Sequence, residues 1–295
     1  MSSLKHLRSR IKSVKSTQKI TKAIQVVSAA KLRWVKDDAE SSDEYLSNLL
    51  TIMNDISSSI NFIDLNKIDK QFFQKDLTDK PCLFVVVTSE KGLCGSLNSQ
   101  IIRAVKRDII KFTKKNIKIT LIVIGKKGYD ALKNCYSDII EEYYPITKEK
   151  YSPVILQIKD KIIKLIQQDE IGSCRLYYNE FKNTLTQIMT SINVFPIKQL
   201  DQEQQENNEI QSSLLFKYEG PSLINSLINS YTTGVMKHVF LHNKASEEAA
   251  RMTAMNSATR NAGELIDKLT LKLNRSRQEK ITTELTEIIS GTKVL

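Results

Sequence analysis

The two ends of the chain contain almost no residues that interrupt a helix. Of 295 residues only nine are glycine and five are proline, and none of these fourteen lies within positions 1–80. Three of them follow position 221, and the other eleven occupy positions 81–221. Because glycine and proline are the strongest local breakers of regular structure, this distribution predicts a long helix at each end and a loop-bearing domain between them.

The middle of the chain alternates strand-like and helix-like segments. Five strands are predicted, at Cys82–Thr88, Ile119–Gly125, Ile139–Tyr144, Cys174–Phe181 and Ile192–Ile197. Helical patterns of apolar residues separate the first four strands, and one of them begins at Ser152-Pro153, a favourable helix start. Strands that alternate with helices of this length pair in parallel, so we expect a small, open, Rossmann-like α/β domain.

These patterns predict five parts. They are an N-terminal helix at 1–60, a connector at 61–80, the α/β domain at 81–200, a polar linker at 201–219 and a C-terminal helix at 220–295. The linker is assigned because Asp201–Ser213 has four acidic residues and a single apolar one.

Both terminal helices carry an apolar stripe with the spacing of a coiled-coil seam. In the C-terminal helix the 3-4 repeat comprises Met252, Met255, Thr259, Ala262, Ile266, Leu269 and Leu273. In the N-terminal helix it begins at Leu4, Leu7, Ile11 and Val14, and we interpret it as drifting to Ile20, Ile24 and Val27. Neither stripe can be buried by its own helix, so we expect the two to pair as a long antiparallel coiled coil within one chain.

The net charge is concentrated at the N-terminus. Residues 1–36 contain seven lysines, three arginines and no acidic residue, whereas the whole chain has a net charge of +11. Three interpretations fit such a segment: an organellar transit peptide, a nucleic-acid-binding helix, or a surface for an acidic protein partner. The seam continues through the segment without a break, which disfavours a transit peptide, and Trp34 is its only aromatic residue, which disfavours nucleic-acid stacking.

The chain shows few signs of catalytic chemistry. The loop Thr88–Asn98 follows a strand, but it contains only Gly92 and Gly95 and matches neither phosphate-binding pattern, so we interpret Lys91, Gly92, Cys94 and Gly95 as a structural turn. His238 and His242 have i, i+4 spacing without the glutamate of a zinc-protease motif, and we expect them on a helix surface. The four cysteines form no C-x-x-C pair and are expected to be free thiols of a soluble, intracellular protein.

Three separated blocks resemble one family. Leu7–Arg33 (LRSRIKSVKSTQKITKAIQVVSAAKLR) is similar to the N-terminal helix of the gamma subunits of F-type ATP synthases. Arg251–Gly291, which begins RMTAMNSATRNAGELIDKL, is similar to the C-terminal helix of the same family, and the loop TSEKGLCGSLN also matches. Ile24 stands where the family more often has methionine.

The resemblance implies a non-catalytic rotor subunit without a cofactor, which couples proton flow to ATP synthesis or hydrolysis. Its implied partners are the alpha and beta subunits of the ATPase head, the epsilon subunit and the membrane c-ring. Arg277 and Gln278 match an Arg-Gln pair that contacts a catalytic-subunit loop, and Ile24 matches the position nearest an acidic lever. We expect the basic residues Lys5, Arg8, Lys12, Lys31, Arg33 and Lys36 to face the head as well.

No presequence is seen before Leu4, so we expect a peripheral protein on the cytoplasmic side of a bacterial inner membrane, with the mitochondrial matrix side as the alternative. Two other functions stay open at this point. One is a basic coiled-coil protein that binds nucleic acid, and the other is a nucleotide-binding α/β enzyme that uses Gly92 and Gly95.

Overall fold

The computed structural model describes residues 2–59, 72, 80–146, 151–197 and 221–292. The chain divides into two compact units, one of Met1–Ala30 with Arg251–Leu295 and the other of Lys31–Ala250. The predicted linker at 201–219, and nearly all of the predicted connector at 61–80, lie outside the described residues.

A long helix lies at each end of the chain, and strands alternate with shorter helices between them. The elements are α1 (Ser2–Ser59), β1 (Cys82–Val87), α2 (Leu97–Thr113), β2 (Ile119–Ile124), α3 (Lys126–Tyr136), β3 (Ile140–Tyr144), α4 (Ser152–Gln167), β4 (Ser173–Phe181), β5 (Gln187–Phe195) and α5 (Pro221–Thr292). A single 3-10 turn, Ser137–Ile139, precedes β3. The fold class predicted from the sequence, two long terminal helices and an α/β domain, is confirmed.

The five strands form one sheet in the order β3-β2-β1-β4-β5. The pairs β1–β2, β1–β4 and β2–β3 are parallel, as the alternation of strands and helices predicts. The prediction of parallel pairing is wrong for β5, which runs antiparallel to β4. The reason is the short connection at 182–186, because a parallel crossover needs about a dozen residues or more.

Helices cover both faces of the sheet. Successive side chains along a strand therefore pack alternately into two hydrophobic cores, one on each face. On one face Leu83, Val85 and Val87 pack with the apolar sides of α4, of α1 and of α5. On the other face Phe84 and Val86 pack with residues of α2 and α3. Burial on both faces explains why β1 and β2 read as continuous apolar runs.

The turn between β2 and α3 brings two glycines against Thr88 at the end of β1. The Thr88 hydroxyl donates to the Ile124 carbonyl at 2.8 Å and accepts from the Gly128 N–H at 2.9 Å. Gly125 has a φ of +87°, and a Cβ there would overlap the Thr88 carbonyl. A Cβ on Gly128 would lie 2.6 Å from Thr88 Oγ1, so α3 can approach β1 only because this position lacks a side chain.

We predict that Gly128→Ala destabilises the α/β domain. The added methyl group must displace Thr88 or move α3, and overpacking of this kind costs about 1–3 kcal/mol. The matched control is Gly92→Ala, where the nearest atom is the flexible Lys127 side chain at 3.3 Å. Chemical denaturation followed by circular dichroism measures both free energies of unfolding, and equal stability of the two variants would contradict the packing described for Gly128.

Candidate functional site

The terminal helices pair antiparallel in the first unit through a layer of polar side chains. The Thr21 and Thr259 hydroxyl oxygens are 2.7 Å apart, and Gln25 Nε2 donates to Asn256 Oδ1 at 3.2 Å. Gln18 Nε2 donates to the Thr259 carbonyl at 3.4 Å. As the residue number rises along α1, the residue number of the partner on α5 falls. The two helices are therefore antiparallel.

The burial pattern in this unit is that of a coiled-coil seam. On α5 every predicted position is buried or half-buried, and Met255 and Leu269 are the most enclosed of them. On α1 the same 3-4 spacing continues from Leu4 to Ser28 without a shift. Its inward positions in this unit are Leu4, Leu7, Ile11, Val14, Gln18, Thr21, Gln25 and Ser28.

The predicted drift of the α1 stripe is therefore wrong. Ile20 and Val27 are 57% and 54% exposed, whereas Thr21 and Ser28 are buried. Sequence reasoning followed apolarity and missed Gln18, Thr21 and Gln25, although strict counting of the 3-4 repeat through polar residues finds them. The seam accepts these side chains because each has a hydrogen-bond partner, and a buried polar group without one would be costly.

The outer face of α1 in this unit combines positive charge with an apolar strip. Lys5, Arg8 and Lys12 are exposed. Ile20, Ile24 and Val27 have i, i+4, i+7 spacing, which places them on one helix face, and Ile24 is half-buried between its two exposed neighbours. This face offers a partner both cationic groups and apolar area.

Arg277 and Gln278 lie exposed near the end of α5. On the antiparallel register they are level with the first turn of α1. Neighbouring charged residues form ion pairs within the helix: Arg275 pairs with Glu279 at 3.0 Å, and Lys280 pairs with Glu284 at 3.3 Å. Arg277 has no such partner among the described residues, so its guanidinium remains available to another molecule.

Beyond this point α5 extends past the start of α1 and carries exposed apolar residues. Ile281, Leu285 and Ile288 are 47%, 54% and 63% exposed. They have i, i+4, i+7 spacing, so they form one apolar strip along the last turns of α5.

The other three predicted basic residues lie in the second unit. Arg33 and Lys36 are exposed, and Lys31 is half-buried. Lys36 pairs with Glu40 at 3.3 Å on the helix surface, an exposed i, i+4 pair worth only a few tenths of a kcal/mol. Trp34 is 75% exposed among them.

The loop after β1 is held by hydrogen bonds among its own residues. The Ser89 N–H donates to Asn98 Oδ1 at 3.0 Å, and Asn98 Nδ2 donates to Ser89 Oγ at 2.7 Å and to Cys94 Sγ at 3.2 Å. Ser89 Oγ donates in turn to the Lys91 carbonyl at 2.6 Å. Cys94 is buried, and Gly95 has a φ of +59°. These hydrogen bonds among the loop's own polar groups stabilise the turn.

The two spaced histidines are placed differently from what the sequence suggested. His238 and His242 were expected on a helix surface, but they are only 9% and 4% exposed, because Asp43 of α1 and strand β4 cover that face of α5. As for membrane insertion, none of the described helices combines the length and the apolar character that a membrane span requires.

We predict that Thr21→Cys/Thr259→Cys forms a disulfide within one chain. The two hydroxyl oxygens already lie 2.7 Å apart, so thiols in their place are close enough to oxidise with little backbone movement. The background should carry Cys135→Ser, which removes the exposed native thiol. Non-reducing gels and peptide mass spectrometry identify the bond.

The matched control is Ile20→Cys/Thr259→Cys, because Ile20 points away from the seam. Dimers linked between chains, or equal cross-linking in the control, would mean that the helices do not pair in this register.

Comparison with known proteins identifies the family to which the chain belongs. A family model described as ATP synthase matches residues 3–295. The ATP synthase gamma chains of Rickettsia akari and Rickettsia prowazekii are 46% and 47% identical to this chain, with complete coverage of both sequences in each case. In a Euglena gracilis mitochondrial ATP synthase structure, one chain superposes with a TM-score of 0.70 at 18% identity, covering 99% of this chain and 94% of its own length.

A chain in the central stalk and c-ring structure of the Tetrahymena thermophila mitochondrial ATP synthase gives a TM-score of 0.53 at 23% identity, covering 81% of this chain and 99% of its own length. These two likenesses concern the fold, whereas the family follows from the full-length sequence matches. This chain therefore belongs to the ATP synthase family, among its gamma chains.

Proposed function

We propose that the paired terminal helices of this gamma chain carry torque between a proton-driven membrane ring and the catalytic head of an F-type ATP synthase. As a gamma chain, the protein is the non-catalytic central stalk of the rotor. The observation that most supports the torque proposal is the helix pair of the first unit. Its polar layer is satisfied internally, so its outer face is left to interact with other molecules.

The strongest contact with the head is proposed at Arg277 and Gln278. A rotating shaft must report its angle to a catalytic loop, and an arginine suits this task because its planar fork makes directional, charge-assisted hydrogen bonds. Gln278 adds a neutral donor and acceptor beside it. Among the described residues, no carboxylate pairs with the guanidinium of Arg277, whereas that of Arg275 pairs with Glu279.

The remaining contacts with the head are proposed to be weak. Lys5, Arg8, Lys12, Lys31, Arg33 and Lys36 face acidic segments of the alpha and beta subunits. Exposed ion pairs are worth about 0–1 kcal/mol each and tolerate a change of angle, which suits surfaces that slide past one another. Ile24 and its exposed neighbours Ile20 and Val27 add an apolar strip at the same level, near the proposed acidic lever.

Beyond the head, we propose contacts with the epsilon subunit and the membrane c-ring. The Euglena and Tetrahymena structures to which the fold is similar contain a c-ring. The bacterial gamma chains to which this chain is 46–47% identical support a peripheral position at the cytoplasmic side of an inner membrane.

At the end of α5, the exposed strip of Ile281, Leu285 and Ile288 is proposed to sit in an apolar sleeve of the head.

We predict that Arg277→Ala/Gln278→Ala lowers coupled ATP turnover about ten-fold or more. Alanine preserves the helix, but charge-assisted hydrogen bonds worth about 1.5–3 kcal/mol each are lost. The measurement is ATP hydrolysis and ATP-driven proton pumping by the reconstituted complex, with assembly monitored by size-exclusion chromatography.

The matched control is Lys272→Ala/Asn274→Ala, which likewise removes one positive charge and one amide from the same exposed stretch of α5. It should leave turnover and pumping nearly unchanged. If both double variants lose activity equally, net charge is what matters, and the specific contact at Arg277 and Gln278 is refuted.

A further inference from the structure

Three metal-binding side chains converge in the second unit. Asp43 extends from α1, and His238 and His242 stand one helical turn apart on α5. Asp43 Oδ1 lies 3.0 Å from His238 Nδ1 and 2.7 Å from His242 Nε2. One ligand atom from each residue falls within 4.8 Å of the others, so a single ion could touch all three.

One nitrogen of this cluster is left without a hydrogen bond. His238 Nδ1 is buried and makes no hydrogen bond to the described residues, and the Asp43 Oδ1 atom lies 3.0 Å from it. A buried polar atom in this state is costly and calls for a partner. A cation between Nδ1 and the carboxylate would supply that partner.

Strand β4 supplies further polar groups around the cluster. Nearby on β4 lie Glu180, which pairs with Lys182 at 2.6 Å, and the Tyr178 hydroxyl, 3.5 Å from His238 Nε2. The Asp43 carboxylate is the acidic group that contacts both imidazole rings.

We propose that Asp43, His238 and His242 form a binding site for a divalent transition-metal ion, with Zn²⁺ as the representative. Imidazole nitrogens and a carboxylate oxygen are ligands that Zn²⁺ prefers, and three protein ligands leave a position for water. The Asp43 side chain is 50% exposed, so water and the ion can reach the site from solvent.

Binding would join α1 to α5 within the second unit. It has one identifiable cost, because the Phe181 N–H donates to His242 Nδ1 at 3.4 Å. A ring that binds metal through Nε2 carries its proton on Nδ1, so this long hydrogen bond is given up. On the other ring, the Tyr178 hydroxyl can accept a hydrogen bond from His238 Nε2 when Nδ1 holds the ion.

The test uses the purified full-length chain in a Cys135→Ser background, stripped with chelator and titrated with Zn²⁺ in a calorimeter. We expect one ion per chain, a rise in melting temperature with Zn²⁺, and loss of the Phe181 hydrogen bond as faster amide exchange. Substitution of Co²⁺ should give the visible absorption of a site with nitrogen and oxygen ligands.

Two variants and one control assign the ligands. Asp43→Asn and His238→Asn should each weaken Zn²⁺ binding roughly ten-fold or more, whereas His6→Gln, which changes the third of the chain's three histidines, should have no effect. Circular dichroism without metal establishes that the Asp43→Asn variant is folded. Absence of one-to-one binding in the parent chain, or unchanged affinity in folded Asp43→Asn, would overturn the proposal.

Discussion

The contact between Thr21 and Thr259 fixes the register on which the first unit depends. An apolar seam alone tolerates sliding by one heptad, because one leucine fills a neighbouring hole nearly as well as another. A buried hydroxyl such as that of Thr21 does not tolerate it, since a slipped register leaves the group unpaired at about 1–3 kcal/mol. Polar seam residues are known to specify register in this way at some cost in stability. Gly263 supports the same register, because a Cβ there would lie 3.1 Å from Gln18 Nε2.

This register determines which side chains are left for partners. Once Gln18, Thr21 and Gln25 are turned inward, Ile20, Ile24 and Val27 must face outward, although they are more apolar. The same register places Arg277 level with the first turn of α1, and the apolar strip beyond it is exposed. The surface that we propose for contact with the ATPase head is thus a consequence of how the polar side chains of the seam are hydrogen-bonded. A shaft can present apolar and cationic groups outward only if its own pairing does not depend on them.

Much of this arrangement can be predicted from the sequence, and the failures have physical causes. The scarcity of glycine and proline predicts the terminal helices, and the apolar runs predict β1 and β2, because these depend on local pattern. The direction of β5 depends on the length of the turn before it, which the apolar pattern does not report. Hydrophobicity predicts the wrong positions for Thr21, which faces inward, and for His238, which is buried. Each is a polar residue that contacts a residue distant in sequence, Thr259 and Asp43 respectively. Asp43, 195 positions from His238, gives no local signal at all.

The central claim is that the two terminal helices turn as one body inside the head. The most direct measurement is ATP hydrolysis by the assembled complex that contains the Thr21→Cys/Thr259→Cys chain, before and after oxidation of the thiols. A bond at the point where the helices already touch at 2.7 Å should leave turnover unchanged, because no relative movement of the two is required. Turnover that falls on oxidation and returns on reduction would show that the helices move against each other during catalysis, and would contradict the account.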